Sequence, residues 1–309
     1  MVFLNSLDGA VAQGLIWGLF AIGLYISYKI LDIADLTVDG SICTGGCVLA
    51  ILMTQGVNAY IALIAAFFAG AAAGALTGFL HTLFGIPAIL SGILTQLILW
   101  SVNLKILGKA NVSISARKYS VLLSSMDNIK AIGVMTLVCV IVIVLLYLFF
   151  YTEIGFSLKA TGDNEKMSKA QGINVSFNKV LGLAISNGIV ALSGALLAQY
   201  QGFADINMGR GAIVIGLAAI VIGLSVSLKI KPNFVVSLIG VIGGGITYYV
   251  VYVFVISLGL DTDLLKMLSA LVVAVFLAVP YVKKTYFANR RIGKSKTKTA
   301  EEPVNEEVK

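Results

Sequence analysis

Residues 132–150 read IGVMTLVCVIVIVLLYLFF, and residues 151–172 read YTEIGFSLKATGDNEKMSKAQG. The first stretch has no charged side chain, whereas the second carries Glu153, Lys159, Asp163, Glu165, Lys166 and Lys169. A helix rises about 1.5 Å per residue, so an uncharged run of roughly 20 residues spans the hydrocarbon core of a bilayer. The abrupt change of character near Tyr151 therefore marks where the chain leaves lipid. A charged island of this kind between two long apolar runs reads as a docking surface.

The rest of the chain repeats the first kind of stretch. Of 309 residues, 59% are hydrophobic and 12% charged, and the mean hydropathy of +0.97 is far above that of a soluble domain. About nine apolar runs are long enough to span: Gly9–Tyr28, Val38–Met53, Ala59–Leu80, Pro87–Leu107, Ala131–Tyr151, Asn178–Gln199, Gly211–Leu228, Phe234–Ile256 and Leu264–Val282. The second and seventh are short and interrupted by glycine. The runs are continuous rather than alternating, which strongly favours helices over a transmembrane barrel. The expected fold is all-α, a polytopic membrane bundle of about 8–10 helices with two short or broken ones. It comprises a membrane domain over 1–282, with the polar segment 152–177 inside it, and a charged tail over 283–309. No basic residue precedes the first run and no cleavage site follows it, so that run is expected to be a span rather than a signal peptide.

The net charge of +7 concentrates in the tail, at Lys283, Lys284, Arg290, Arg291, Lys294, Lys296, Lys298 and Lys309. This is the juxtamembrane pattern of a cytoplasmic segment resting on anionic lipid, not a nucleic-acid surface. Walking back through nine spans from a cytoplasmic C-terminus places the 151–172 island inside and the N-terminus outside. Lys109, Arg117, Lys118 and Lys130 then fall in an outer loop, against the positive-inside trend. Cys43, Cys47 and Cys139 lie within apolar runs and read as small buried residues. His81 is the only histidine and is expected to end a helix, and no metal site is indicated.

Small residues recur at helical spacing at Gly14 and Gly18, at Gly70, Gly74 and Gly78, and at Gly240 and Gly244, as close-packed membrane helices require. Two polar, glycine-containing segments, Asp35-Leu-Thr-Val-Asp-Gly-Ser41 and Asp205-Ile-Asn-Met-Gly-Arg-Gly211, lead into the two short runs. Their runs cross in opposite directions, a pattern that relates inverted halves and points to a central solute path. Asp32, Asp35 and Asp39 would share a helical face if the helix were continuous. A carboxylate in the membrane costs about 2.5–3.5 kcal/mol, which leaves two readings of these residues: helix capping, or lining a path at Asp39 and Ser41. Asn187 reads either as an interhelical hydrogen-bonding residue or, with Gln201, Asp205 and Asn207, as part of a solute path. The motifs of hydrolases, metalloproteases and nucleotide-binding loops are absent, so an enzyme is not expected.

The segment Gly155-Phe-Ser-Leu-Lys-Ala-Thr-Gly-Asp-Asn164, followed by Met167, Ala170 and Gly172-Ile-Asn174, resembles the cytoplasmic coupling segment of branched-chain amino-acid and ribose-type ABC importer permeases. Gly182-Leu-Ala-Ile-Ser-Asn-Gly188, Ala191-Leu-Ser-Gly-Ala-Leu-Leu-Ala-Gln199 and Gln201-Gly-Phe-Ala-Asp205 continue the likeness, and Leu36-Thr-Val-Asp-Gly-Ser41 resembles the aromatic amino-acid branch. The resemblance covers about residues 10–282. It implies a permease subunit of an ATP-driven importer in the bacterial plasma membrane, moving an aromatic or branched-chain amino acid. Its implied partners are a second permease copy, cytoplasmic ABC ATPase subunits and an extracytoplasmic binding protein. ATP and Mg would then act on the ATPase, and no cofactor is expected in this chain. Gly155, Lys159, Ala160, Thr161, Gly162, Asp163, Asn164, Met167, Ala170 and Gly172 would couple to the ATPase. An ion-coupled secondary transporter using Asp39 or Asp205 is the alternative, and a membrane scaffold docking proteins on the island is a further one.

Overall fold

The computed structural model describes residues 2–114, 119, 121–230 and 233–257, with the isolated positions 267, 270, 271, 274 and 278. Most of the ninth apolar run, the basic tail, Arg117 and Lys118 lie outside the described residues. Among the described residues, six helices are long and apolar enough to cross a membrane. They are α1 (Val2–Tyr25), prolonged by a π-helical turn over Ile26–Ile30, then α3 (Ala59–Thr82), α4 (Ala88–Leu107), α5 (Asn128–Phe150), α8 (Val175–Gln201) and α10 (Phe234–Ser257). Two shorter apolar helices, α2 (Val38–Thr54) and α9 (Ala212–Ile230), match the short runs expected at those places. The polar island forms two short helices, α6 (Glu153–Asp163) and α7 (Glu165–Ala170), at one end of the bundle.

At the other end a feature appears that the apolar periodicity does not announce. Strands β1 (Asn111–Ser113) and β2 (Phe203–Asp205) pair antiparallel, with Asn111 opposite Asp205 and Ser113 opposite Phe203. Each strand is too short to show alternation, and glycines in the left-handed region, Gly108 and Gly202, end α4 and α8 just ahead of them. The Gln199 side chain ties the following loop down by accepting from the Leu122 and Leu123 amides.

Lipid provides no hydrophobic drive between helices, so the bundle is held by close backbone approach at small residues. Each stripe read from the sequence is such a contact. Gly14 and Gly18 lie on Ile246 and Ile242 of α10; Gly70, Gly74 and Gly78 lie on α8; Gly240 and Gly244 lie on α9. At Gly45 of α2, an added Cβ would collide with the Ala191 carbonyl of α8. The outer sides of α3, α4 and α5 expose Phe68, Leu97, Leu137 and Leu145, as lipid contact requires.

Both short helices begin at mid-depth. Gly40 lies on Gln96 and Leu99 in the middle of α4, and Ser41 bonds Asn187 in the middle of α8. Gly209 packs on Asp39 and Ile42, so the chain after β2 dips to this same level before α9 starts. From there α9 runs toward the α6–α7 end, Gly216 lying on Phe20 and Leu24, while α2 runs to the ribbon end, where α3 begins. Their opposed courses fit the inverted relation expected from the two polar segments.

Gly45→Val is expected to lower the melting temperature of the detergent-solubilised protein by about 6–12 °C, the shift that an overpacking cost of roughly 3 kcal/mol gives. Gly243→Ala, at a helical glycine with open space around it, is expected to leave the temperature unchanged or raise it slightly.

Candidate functional site

The first candidate region is the junction where the short helices start. Residues 31–37 are not helical, and the α1 direction is broken at Asp32, whose φ is 55°. The three aspartates therefore do not share a helical face. Asp32 is exposed beside the α6–α7 end, Asp35 is 1% exposed, and Asp39 lies in the first turn of α2. Non-helical backbone is tolerated at membrane depth where protein covers it, and Leu31, Ile33, Asp35 and Thr37 are all buried.

Capping does explain Asp39, but across the bundle rather than on its own helix. Its Oδ2 accepts from the Gly211 amide at 3.1 Å and its Oδ1 from the Ile213 amide at 2.9 Å, so it caps α9. The carboxylate thereby meets both the orphan donors and the positive dipole end of that helix. Gly209 N–H donates to the Cys43 sulfur at 3.0 Å, and fixes the turn beside it.

Asn187 is the hub of a second network. Its Nδ2 donates to Asp35 Oδ2 at 2.6 Å and its Oδ1 accepts from the Ser41 hydroxyl at 2.6 Å. Asp35 Oδ1 accepts from the Thr37 amide, and the Thr37 hydroxyl meets that of Thr77 on α3. Ser41 and Asn187 are thus brought together with Asp35, Asp39 instead faces the start of α9, and interhelical bonding accounts for Asn187. Gln201 lies exposed at the end of α8. Asp205 bonds the Asn207 amide and faces Asn111, and Asn207 is exposed, so these three belong to the ribbon end.

The second region is the α6–α7 face. Thr152, Asn164 and Asn174 each accept from the backbone amide three residues on and start α6, α7 and α8 in turn. Gly155 packs on Phe149 and Phe150, and Gly162 on the Ile30 carbonyl. Thr161 is buried and bonds Asn178, while Lys159 places its ammonium 4.5 Å from the Phe234 ring and 5.4 Å from that of Phe150. Ala160 is half-buried. Asp163, Asn164, Met167, Ala170 and Gly172 are exposed, Gly172 with a φ of 80° that turns the chain into α8. The ten residues divide accordingly: one group fastens the island to the bundle, the other faces outward.

Glu165 joins α7 to the bundle. It bonds Lys169 and Lys179, each at 2.8 Å, and these bonds hold its carboxyl at about 2, below the ordinary carboxylate range. Lys179 also donates to His81 Nε2 at 3.4 Å, and His81 Nδ1 donates to the Ile86 carbonyl at 2.8 Å. His81 sits in the last turn of α3, as expected.

The architecture is that of a polytopic helical membrane protein whose core holds helix ends and whose one polar face is offered outward. Residues 6–279 match the family described as branched-chain amino acid transport system, permease component, and the chain belongs to that family. It is 39% identical over 275 residues to a tyrosine transport system permease protein of Clostridioides difficile, covering 89% of this chain and 91% of that one. It is 34% identical over 285 residues to an uncharacterized Rickettsia prowazekii protein, covering 91% and 99%. The ribose import permease of Escherichia coli K12 is 26% identical over 223 residues, 69% of each chain. No solved structure matches.

Asn187→Ala strands Asp35 Oδ2 and the Ser41 hydroxyl in the core. It is expected to cost about 1–3 kcal/mol per stranded group, seen as a lower melting temperature in detergent. For Glu165 the depressed carboxyl value means its contribution is full above about 4.5 and is lost as pH falls toward about 2. The protection of the amides over 165–170, measured against their intrinsic exchange at each pH, is expected to fall across that window and to stay level above it.

Proposed function

We propose that this chain is the permease subunit of an ATP-driven importer for an aromatic or branched-chain amino acid. In this reading the α6–α7 end faces the cytoplasm and binds the ATPase subunits, and the ribbon end receives solute from a binding protein. A second copy of the chain completes the pore. The observation that carries the reading is the two-sidedness of α6–α7. Gly155, Leu158 and Thr161 are buried against the bundle, while Phe156 and Met167 are 55% and 62% exposed. A face fastened so firmly inward, with Phe156 and Met167 held outward among charged side chains, suits a rigid partner that pushes on it.

The push has a short route to the core. Gly162 bears on the Ile30 carbonyl, and Leu31 bears on Gly182 and leads through the non-helical strap 31–37 to Asp35, Asn187 and the start of α2. Movement of α6 is thus delivered to the helix junction without bending any of the long helices. Asp39 and Ser41 at that junction, with Asn187 behind them, line the proposed path at mid-depth. Gln201, Asp205 and Asn207 line its outer entrance. Amino-acid cargo is supported by the likeness to a tyrosine transport permease over most of both chains. The ion-coupled reading is disfavoured because both Asp39 oxygens already accept backbone amides.

Uptake of labelled tyrosine by cells carrying the complete system is expected to survive an ionophore and to stop on ATP depletion; the reverse result would overturn the reading. Met167→Glu is expected to lower uptake about tenfold or more with unchanged protein in the membrane, since a buried charge at a packed interface costs about 2 kcal/mol or more. Gly162→Leu serves as the contrast: it strikes the Ile30 carbonyl and is expected to reduce the amount of folded protein itself.

A further inference from the structure

At mid-depth, Arg210 stands in the turn just ahead of α9 with an exposed guanidinium that, among the described residues, forms no ion pair or side-chain hydrogen bond. An unpaired cation at this level is costly, and such residues occur where a solute or counter-charge is met. Arg210 lines a cavity of about 220 Å³ between α2, α4 and the re-entrant turn, shared with Asp39, Gln96, Trp100 and Asn103. Asn103 is 1% exposed, and neither its amide nitrogen nor its amide oxygen has a partner. A buried amide left without bonds costs about 1–3 kcal/mol, which a polar ligand would recover once the Asn103 side chain turns into the cavity it borders. Asp39 borders the same space, but its two oxygens are taken by the α9 amides and its charge is offset by that helix end. The net field in the cavity is therefore that of the arginine.

We propose that this cavity holds the head group of the amino acid in transit, resting on the permease reading above. Arg210 pairs its fork of donors with the carboxylate. Asn103 supplies an acceptor to the ammonium and a donor to a carboxylate oxygen, and Trp100 with Ile93 and Leu97 receives the side chain. A sugar has no carboxylate for Arg210, so the same site discriminates against the cargo class that the ribose permease's name declares.

The test is equilibrium binding of labelled L-tyrosine to the full chain in detergent, without the binding protein whose own selectivity would dominate uptake. Unlabelled L-phenylalanine is expected to displace it, and tyramine, which lacks the carboxylate, and ribose are expected not to. Arg210→Gln is expected to weaken binding about ten- to hundredfold and Arg210→Lys less. No binding by the unaltered chain at millimolar L-tyrosine, equal displacement by tyramine, or unchanged binding by Arg210→Gln would each overturn the proposal. If Arg210→Gln fails to fold, the comparison of tyramine with L-phenylalanine on Arg210→Lys decides. ATP-dependent uptake that persists alongside any of the overturning results leaves the permease reading standing.

Discussion

The capping of α9 by Asp39 is the constraint on which the centre of this molecule depends. Two helices begin inside the bundle, and each beginning presents backbone amides that no solvent satisfies. For α9 a carboxylate from the other short helix supplies the acceptors, at 2.9 and 3.1 Å. The bond does two things that no apolar contact could do together: it makes a mid-depth helix start tolerable, and it fixes the relative position of α2 and α9. Asn187 performs the companion task on the other side of α2, by joining Ser41 and Asp35 to α8.

Around this polar centre the packing is unusually dependent on absent side chains. Gly45, Gly74, Gly194 and Gly244 each place a backbone directly against the carbonyl of a neighbouring helix. Such contacts are stiff to compression and permissive of small sliding, because nothing interdigitates across them. A bundle built in this way packs its helices backbone to backbone along glycine seams, and large apolar side chains such as Phe68 and Leu97 are left for lipid.

Much of this was legible in the sequence. Apolar runs located the long helices within a few residues, the two glycine-broken runs became the two helices that start at mid-depth, and the charged island became a surface of two short helices. What sequence reading missed was long-range partnership. Asp32, Asp35 and Asp39 look like one face of one helix, yet a positive φ at Asp32 and the strap 31–37 separate them, and Asp39 caps a helix that begins at Ala212. No local pattern encodes a capping bond over that distance. Arg210 stands within the polar segment Asp205–Gly211, where nothing in its Gly-Arg-Gly setting marks it off from its neighbours. The signal was its position directly before an apolar run, since a cation there sits at membrane depth once the run is recognised as short. The strands β1 and β2 left no periodicity to find.

The strap 31–37 links these observations mechanically. It is anchored below by Ile30 and Leu31, against Gly162 of α6 and Gly182 of α8, and above by Asp35 on Asn187. The segment is thus pinned at both ends, and its alternate residues Leu31, Ile33, Asp35 and Thr37 are buried against the bundle. In the coupling proposed above, a shift of α6 would be taken up at the α2 start, where Asp39 would either carry α9 with it or release the α9 amides. Release would leave the Gly211 and Ile213 amides without their acceptor, so joint movement of α2 and α9 would be the cheaper course. The carboxylate that makes the fold possible at mid-depth thus joins, by the same bonds, α2 on one side of the cavity to the turn and helix start that follow Arg210.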